Sequence, residues 1–208
     1  MKAVKLFLLL ILVHHFVLAQ KVKKQVEVVQ ISTSYGKILI WLYDETLLHK
    51  QNFIKLANEG FFNNTTFHRI IKNFVIQGGD PNTKDSDSLN DGNGGPGYTI
   101  PAEIKPDKYS HKYGAVGAAR EGDQINPERS SSGSQFYIVI NKNGTPHLNG
   151  GYTVFGVVFV GMEVAEKIAD QPKSKVNNRP YTDIKMKVKI IKMSPAKLLK
   201  KYNFAVPN

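Results

Sequence analysis

Short runs of β-branched and aromatic residues, cut by Gly, Asn and Pro, recur along most of this chain and leave room for few helices. Val26 to Ser32 and Gly36 to Tyr43, joined at Ser34-Tyr35-Gly36, read as a hairpin. Ile38, Ile40 and Leu42 share one face of its second strand by period two. Further strands are expected at about Thr65 to Ile70, Phe74 to Gln77, Gly114 to Ala119, Gln135 to Ile140, Thr153 to Val160 and Lys185 to Ile191. In the last of these, Lys alternates with apolar residues, which gives one wet face. Helical patterns are few. Thr46 can cap a helix running to about Asn58, with Phe53, Ile54, Leu56 and Ala57 on its apolar side and Gly60 as its stop. Met162, Ala165, Ile168 and Ala169 mark a short second one, and Ser194 to Tyr202 reads as a terminal helix beyond the domain's core. Pro81 to Lys112, rich in Gly, Pro, Asn and Asp, is expected to be a long ordered loop. Without a βαβ rhythm these elements point to a mainly β, mostly antiparallel barrel or sandwich, and periodicity does not choose between them.

The length of 208 residues suits one domain with its own core. Its start reads as an address. Lys2 and Lys5, the apolar run Leu6 to Val13 and Val17-Leu18-Ala19 have the layout of a secretory signal peptide, residues 1–19, cleaved to leave Gln20 first. The run is short for a spanning helix, so no stable membrane span is expected once the signal is removed. The chain has no cysteine, which excludes disulfides, thiol nucleophiles, thiolate metal ligands and acylation on Cys. Export without cysteine is compatible with a bacterial periplasm. The formal charge of +11 permits weak contact with anionic surfaces. The lysines mostly alternate with apolar residues, however, so solvated faces are the preferred reading and nucleic acid is not an expected partner. DGNGGPGY lacks the Lys-Ser/Thr of a phosphate loop and reads as turns. Asp80, Asp85, Asp87 and Asp91 do not have EF-hand spacing, and no metal is expected.

Chemistry concentrates in Phe67 to Asp80, FHRIIKNFVIQGGD. Arg69 lies between apolar residues there, and a buried Arg needs a partner. It either pairs with a structural carboxylate or points into a cleft to meet a ligand. A second stretch, Ser132 to Phe155, reads SGSQFYIVINKNGTPHLNGGYTVF. FHRII, QGGD, GSQFYI and HLNGGYTVFG, in this order and spacing, resemble the cyclophilins, the peptidyl-prolyl cis-trans isomerases, from about Val26 to Lys192. The resemblance implies a closed eight-stranded antiparallel barrel capped by two helices, with the substrate groove on its outer wall. The isomerase domain is then 20–193, and 194–208 is a C-terminal extension with a short helix.

The family match also implies roles. Arg69 is the catalytic arginine, and Phe74, Val75, Tyr137, Leu148 and Tyr152 form the proline pocket. Gln77 and Gln135 bond the substrate backbone and hold Arg69, while Ala119 and Arg120 meet the residues before proline. Gln135 and Tyr137, two apart in one strand, share a face on pattern alone; Phe74 and Val75 are brought together only by the resemblance. His68 reads as a satisfied core histidine. Many family members carry Met at Val75, Phe at Tyr137, Asn at Arg120, His at Tyr152 and Trp at His147, the last being a contact for the inhibitor cyclosporin. Arg120 thus adds charge beside the groove. No cofactor is implied, the expected partners are proline-containing polypeptides, and the expected state is a monomer. Two readings stay open here: an isomerase for exported proteins, and a binding module that holds proline segments without useful turnover.

Overall fold

The structure, a computed structural model, describes residues 25–207. The expected signal peptide and Lys21 to Lys24 lie outside the described residues. β1 (Val26–Thr33) and β2 (Gly36–Leu42) form the hairpin, with Thr33 opposite Gly36 and Ile31 opposite Ile38. β3 (Arg69–Ile71), β4 (Val75–Gly78), β5 (Thr99–Ile100), β6 (Ala115–Ala118), β7 (Ser131–Ser132), β8 (Phe136–Val139), β9 (Val154–Val160) and β10 (Lys187–Met193) follow. Eight of these make one antiparallel sheet in the order β10-β1-β2-β9-β6-β8-β4-β3, and β5 pairs with β7.

The sheet has two ends, so the expected closed barrel is not made by strand pairing. β3 is three residues long, and its outer edge is already used. Ile70 N–H donates to Asn178 O at 3.0 Å and Lys173 Nζ to Ile70 O at 2.6 Å, so the 173–180 loop occupies the edge that β10 would need. The ends meet only ahead of the strands, at the bridge Thr66–Lys185 and its neighbours, where Met186 N–H donates to Thr65 O at 2.8 Å.

Alternation then divides the side chains. Val29, Ile31, Ile38, Ile40, Leu42, Val116, Phe136 and Ile138 point into the core, joined by Phe53 and Leu56 of α1 (Leu47–Asn58) and by Val164 and Ile168 of α2 (Met162–Ala169). Thr46 precedes α1 but its side chain does not cap it. Glu103 does so from the long loop, accepting from Leu48 N–H at 3.2 Å and His49 N–H at 3.0 Å. A carboxylate there meets both the free amides and the positive end of the helix. The terminal helix is α3 (Pro195–Tyr202), capped by Ser194. It does not stand apart from the sheet: Leu198 is fully buried against Val28, Leu39 and Trp41 on the outer wall, and Phe204 stacks on Phe159 at 4.3 Å.

Candidate active site

The opposite outer wall carries the chemistry. Across β3, β4, β8 and β6 the register places Arg69 opposite Gln77, Gln77 opposite Tyr137 and Tyr137 opposite Gly117. One row of side chains therefore crosses four strands, and the two residues at its centre, Gln77 and Tyr137, both point away from the core. Gly117 is required in this row. A Cβ there would lie 2.3 Å from Tyr137 Cζ, so only glycine lets the phenol ring lie over β6.

Arg69 is half-buried and has no carboxylate in ion-pair range among the described residues, which speaks against a structural ion pair. Its Nη1 donates to Gln77 Oε1 at 3.3 Å, and its guanidinium carbon is 6.0 Å from the Phe74 ring centre. Burial pulls its pKa below the ordinary guanidinium value, and the nearby Tyr152 phenol opposes this. The amides continue the chain of contacts. Gln77 Nε2 donates to Gln135 Oε1 at 3.0 Å, and Gln135 Nε2 donates at 2.8 Å to both Gly92 O and Gly94 O. Buried Asp80 holds that loop in turn, accepting from Gly92 N–H, from Gly94 N–H at 3.2 Å and from Asn82 N–H at 2.8 Å. The Gly-Gly-Asp turn is thus the far anchor of Arg69, a role the sequence reading did not assign.

Beside the row, Phe74, Val75, Tyr137, Leu148 and Tyr152 form one apolar cluster with Ala119 at its margin. Phe74 and Val75 do meet, although they are neighbours in sequence. Phe74 sits in the turn after Asn73, whose φ is 57°, and not in β4, so strand alternation does not govern it. Leu148 comes from the 3-10 turn Pro146–Leu148, and exposed His147 stacks on Phe74 at 5.6 Å. Arg120 is not a free charge in the groove. Its side chain is 6% exposed, lies 4.5 Å from the Tyr152 ring, donates to Gly151 O and Glu121 O at 2.7 Å and pairs with Asp123 at 2.6 Å.

Two residues that the sequence does not mark support the pocket floor. Tyr137 O–H donates to His111 Nε2 at 2.8 Å, because His111 Nδ1–H is directed to Asn149 Oδ1 at 2.8 Å. The same Oδ1 accepts from the His111 backbone N–H at 2.8 Å, which fixes the amide orientation. Burial pushes the His111 pKa down, with the Asn149 bond opposing, so the ring is neutral and can accept. Burial likewise drives the Tyr137 phenol well above its ordinary value and keeps it a donor. Tyr137→Phe is expected to cost about 1 kcal/mol, and His111→Leu, which strands a buried phenol, about 2–3 kcal/mol. The double variant should lose less than the sum in denaturant melts. Strictly additive losses would contradict this pairing.

His68 departs from the reading given above. It is buried, yet neither ring nitrogen has a hydrogen-bond partner among the described residues. It lines a cavity of about 290 Å³ beside Arg69, Gln77 and the Arg179–Asp91 ion pair.

Comparison with known proteins agrees with this geometry. The family model described as cyclophilin type peptidyl-prolyl cis-trans isomerase/CLD matches residues 28–190. Peptidyl-prolyl cis-trans isomerase B of Bacillus subtilis is 44% identical over 119 residues, which is 57% of this chain and 73% of the relative. A peptidyl-prolyl cis-trans isomerase of Helicobacter pylori is 38% identical over 141 residues, 66% of this chain and 77% of that one. Among solved structures, a cyclophilin type isomerase of Cryptosporidium parvum in the presence of the dipeptide Ala-Pro shares 31% identity. Its TM-score is 0.68, over 80% of this chain and 99% of that one. With the matched segment spanning most of the sheet and the whole of the Arg69 row, the chain belongs to the cyclophilin-type peptidyl-prolyl cis-trans isomerases.

Proposed function

We propose that the groove on β3, β4, β8 and β6 binds Xaa-Pro segments and that Arg69 accelerates rotation about their peptide bond. The observation that carries this is a half-buried guanidinium with no carboxylate partner among the described residues, held by Gln77 beside an apolar pocket. The uncatalysed barrier comes from amide resonance, about 18–20 kcal/mol. No bond breaks, so the catalyst has only to bind the twisted amide better than either planar form, and each tenfold of rate takes about 1.4 kcal/mol. Phe74, Val75, Tyr137, Leu148 and Tyr152 take the proline ring. Gln77 and Gln135 hold the arginine and face the substrate backbone, and Ala119 lies toward the preceding residues. As resonance fades, the prolyl nitrogen regains its lone pair, and a fixed, always protonated fork suits it. The Cryptosporidium parvum structure with Ala-Pro supports a proline-containing ligand.

The isomerase acts, as a monomer, on exported proteins while they fold, after cleavage of the signal that leaves Gln20 first. The charged start and apolar run support this. Refolding of an unfolded chain limited by proline isomerisation is the test of the folding role. Catalytic amounts of this protein should speed its slow phase, and an unchanged phase would contradict the role. N-terminal analysis of material exported by the native host should begin at Gln20; a soluble internal form that keeps Met1 would contradict export.

Cyclosporin should inhibit only weakly. His147, stacked on Phe74, offers less apolar area than the Trp that sensitive family members carry, and it lacks the indole donor position. The loss is expected to be roughly 2–4 kcal/mol, or about one and a half to three decades in affinity. An inhibition titration beside His147→Trp checks this. Nanomolar inhibition of the wild type, or no gain in the variant, would contradict it.

A further inference from the structure

The wall opposite the groove has a charge pattern that isomerisation does not use. From Ile184 to Asn208 the sequence contains seven lysines and no aspartate or glutamate. The fold brings them together. On β10, Lys187 and Lys189 point outward, on the same face as Ile191 and Met193, which lie under the terminal segment. Lys189 is opposite Gln30 and Lys187 opposite Ser32, and Ser32 is opposite Lys37 of β2. Packing of Leu198 onto Val28, Leu39 and Trp41 then lays α3 along this wall, with Lys197, Lys200 and Lys201 exposed. Glu27, opposite Lys192, is the single carboxylate on β10, β1 and β2. None of these lysines is in an ion pair among the described residues.

We propose that this wall, formed by β10 and α3, is a docking face for an anionic lipid bilayer. The cations are all lysine, which acts as a point charge and suits a diffuse plane of headgroups better than forked recognition of a single phosphate. Leu199, on the same helix, is 52% exposed among them and supplies an apolar residue for the interface. No exposed aromatic lies on α3 or β10 for bases to stack on, which disfavours single-stranded nucleic acid. The chain also enters the sheet at Val26, opposite Met193 and next to the start of α3. In the sheet order the catalytic strands lie on the far side of β9, so a docked molecule keeps its groove open to solvent. Lysines on an edge strand such as β10 also guard against strand-to-strand association, and the test must separate the two roles.

The test is vesicle sedimentation with the chain from Gln20 to Asn208, which retains every described residue. Vesicles of phosphatidylcholine with phosphatidylglycerol are compared with phosphatidylcholine alone, at low and high salt. The expected result is binding to the anionic vesicles only, weakened by salt. Each lysine near the surface contributes about fivefold in affinity, so Lys197→Gln/Lys200→Gln/Lys201→Gln should lose about a hundredfold. The same variant should keep its isomerase turnover, which also shows that it folds, and Lys105→Gln/Lys108→Gln should bind as the wild type does. Equal binding to neutral vesicles, or a triple variant that binds unchanged, overturns the proposal. So does a single-stranded oligonucleotide that binds more tightly than the vesicles and displaces the protein from them. A wild type that ignores vesicles while the lysine variants self-associate assigns the charges to edge protection instead.

Discussion

Arg69→Ala is expected to lower isomerase turnover by about two to three orders of magnitude, the usual cost of deleting one fixed donor aimed at developing charge, while the fold persists. The fold is spared because Arg69 makes one side-chain hydrogen bond, the 3.3 Å contact to Gln77, and pairs with no carboxylate among the described residues. Removing it leaves no buried charge behind, so the change in denaturant midpoint should be small. Arg69→Lys should recover little. A lysine ammonium is a compact point charge and cannot both bond Gln77 and present a second planar donor to the prolyl nitrogen. A coupled proline-isomerisation assay and a denaturant melt on the same samples read both quantities. A folded Arg69→Ala protein with near wild-type turnover would remove Arg69 from the mechanism.

Asp80→Ala should behave differently, with stability and turnover falling together. Asp80 is completely buried and its carboxylate accepts from Asn82, Gly92 and Gly94. Hydrogen bonds to a charged group contribute about 1.5–3 kcal/mol each, and the stranded amides add a desolvation cost. A loss of at least about 4.5 kcal/mol is therefore expected, a large part of the 5–15 kcal/mol that a domain has. The Gly92 and Gly94 carbonyls that receive Gln135 then lose their position, and Gln135, Gln77 and Arg69 loosen in sequence. Denaturant midpoints measure the first effect. Turnover at a temperature where the variant remains folded measures the second, and wild-type values in either would show that the relay does not hold the arginine.

The contrast between these two variants shows what the sequence could and could not give. Strand positions were legible because Ile38, Ile40 and Leu42, or Gln135 and Tyr137, declare their faces by period two. The row from Arg69 to Gly117 was not, because beyond the local hairpin of β3 and β4 it depends on their register with β8 and β6, strands far along the chain. Local residues do not encode that register. His111 and Asn149 are hidden for a similar reason: they lie 38 residues apart and meet only under Tyr137. Thr46 misled as a cap because Glu103, from a loop 55 residues away, outcompetes its hydroxyl for the first amides of α1. Leu39 and Trp41 gave no sign that their face was covered, since the cover comes from Leu198 and Phe204 at the other end of the chain. The unclosed sheet has the same origin, in a loop that reaches Ile70 before β10 can.

Exchange spectroscopy on an Ala-Pro peptide tests the central claim most directly, because binding and rotation are read in one sample. Uncatalysed interconversion takes about tens of seconds or longer. With catalytic amounts of the wild type, cis and trans resonances should exchange orders of magnitude faster at an unchanged equilibrium ratio, and Arg69→Ala should abolish most of that exchange. A peptide that binds against Phe74 and Tyr137 yet still interconverts at its uncatalysed rate would contradict the claim and leave only a proline-binding surface.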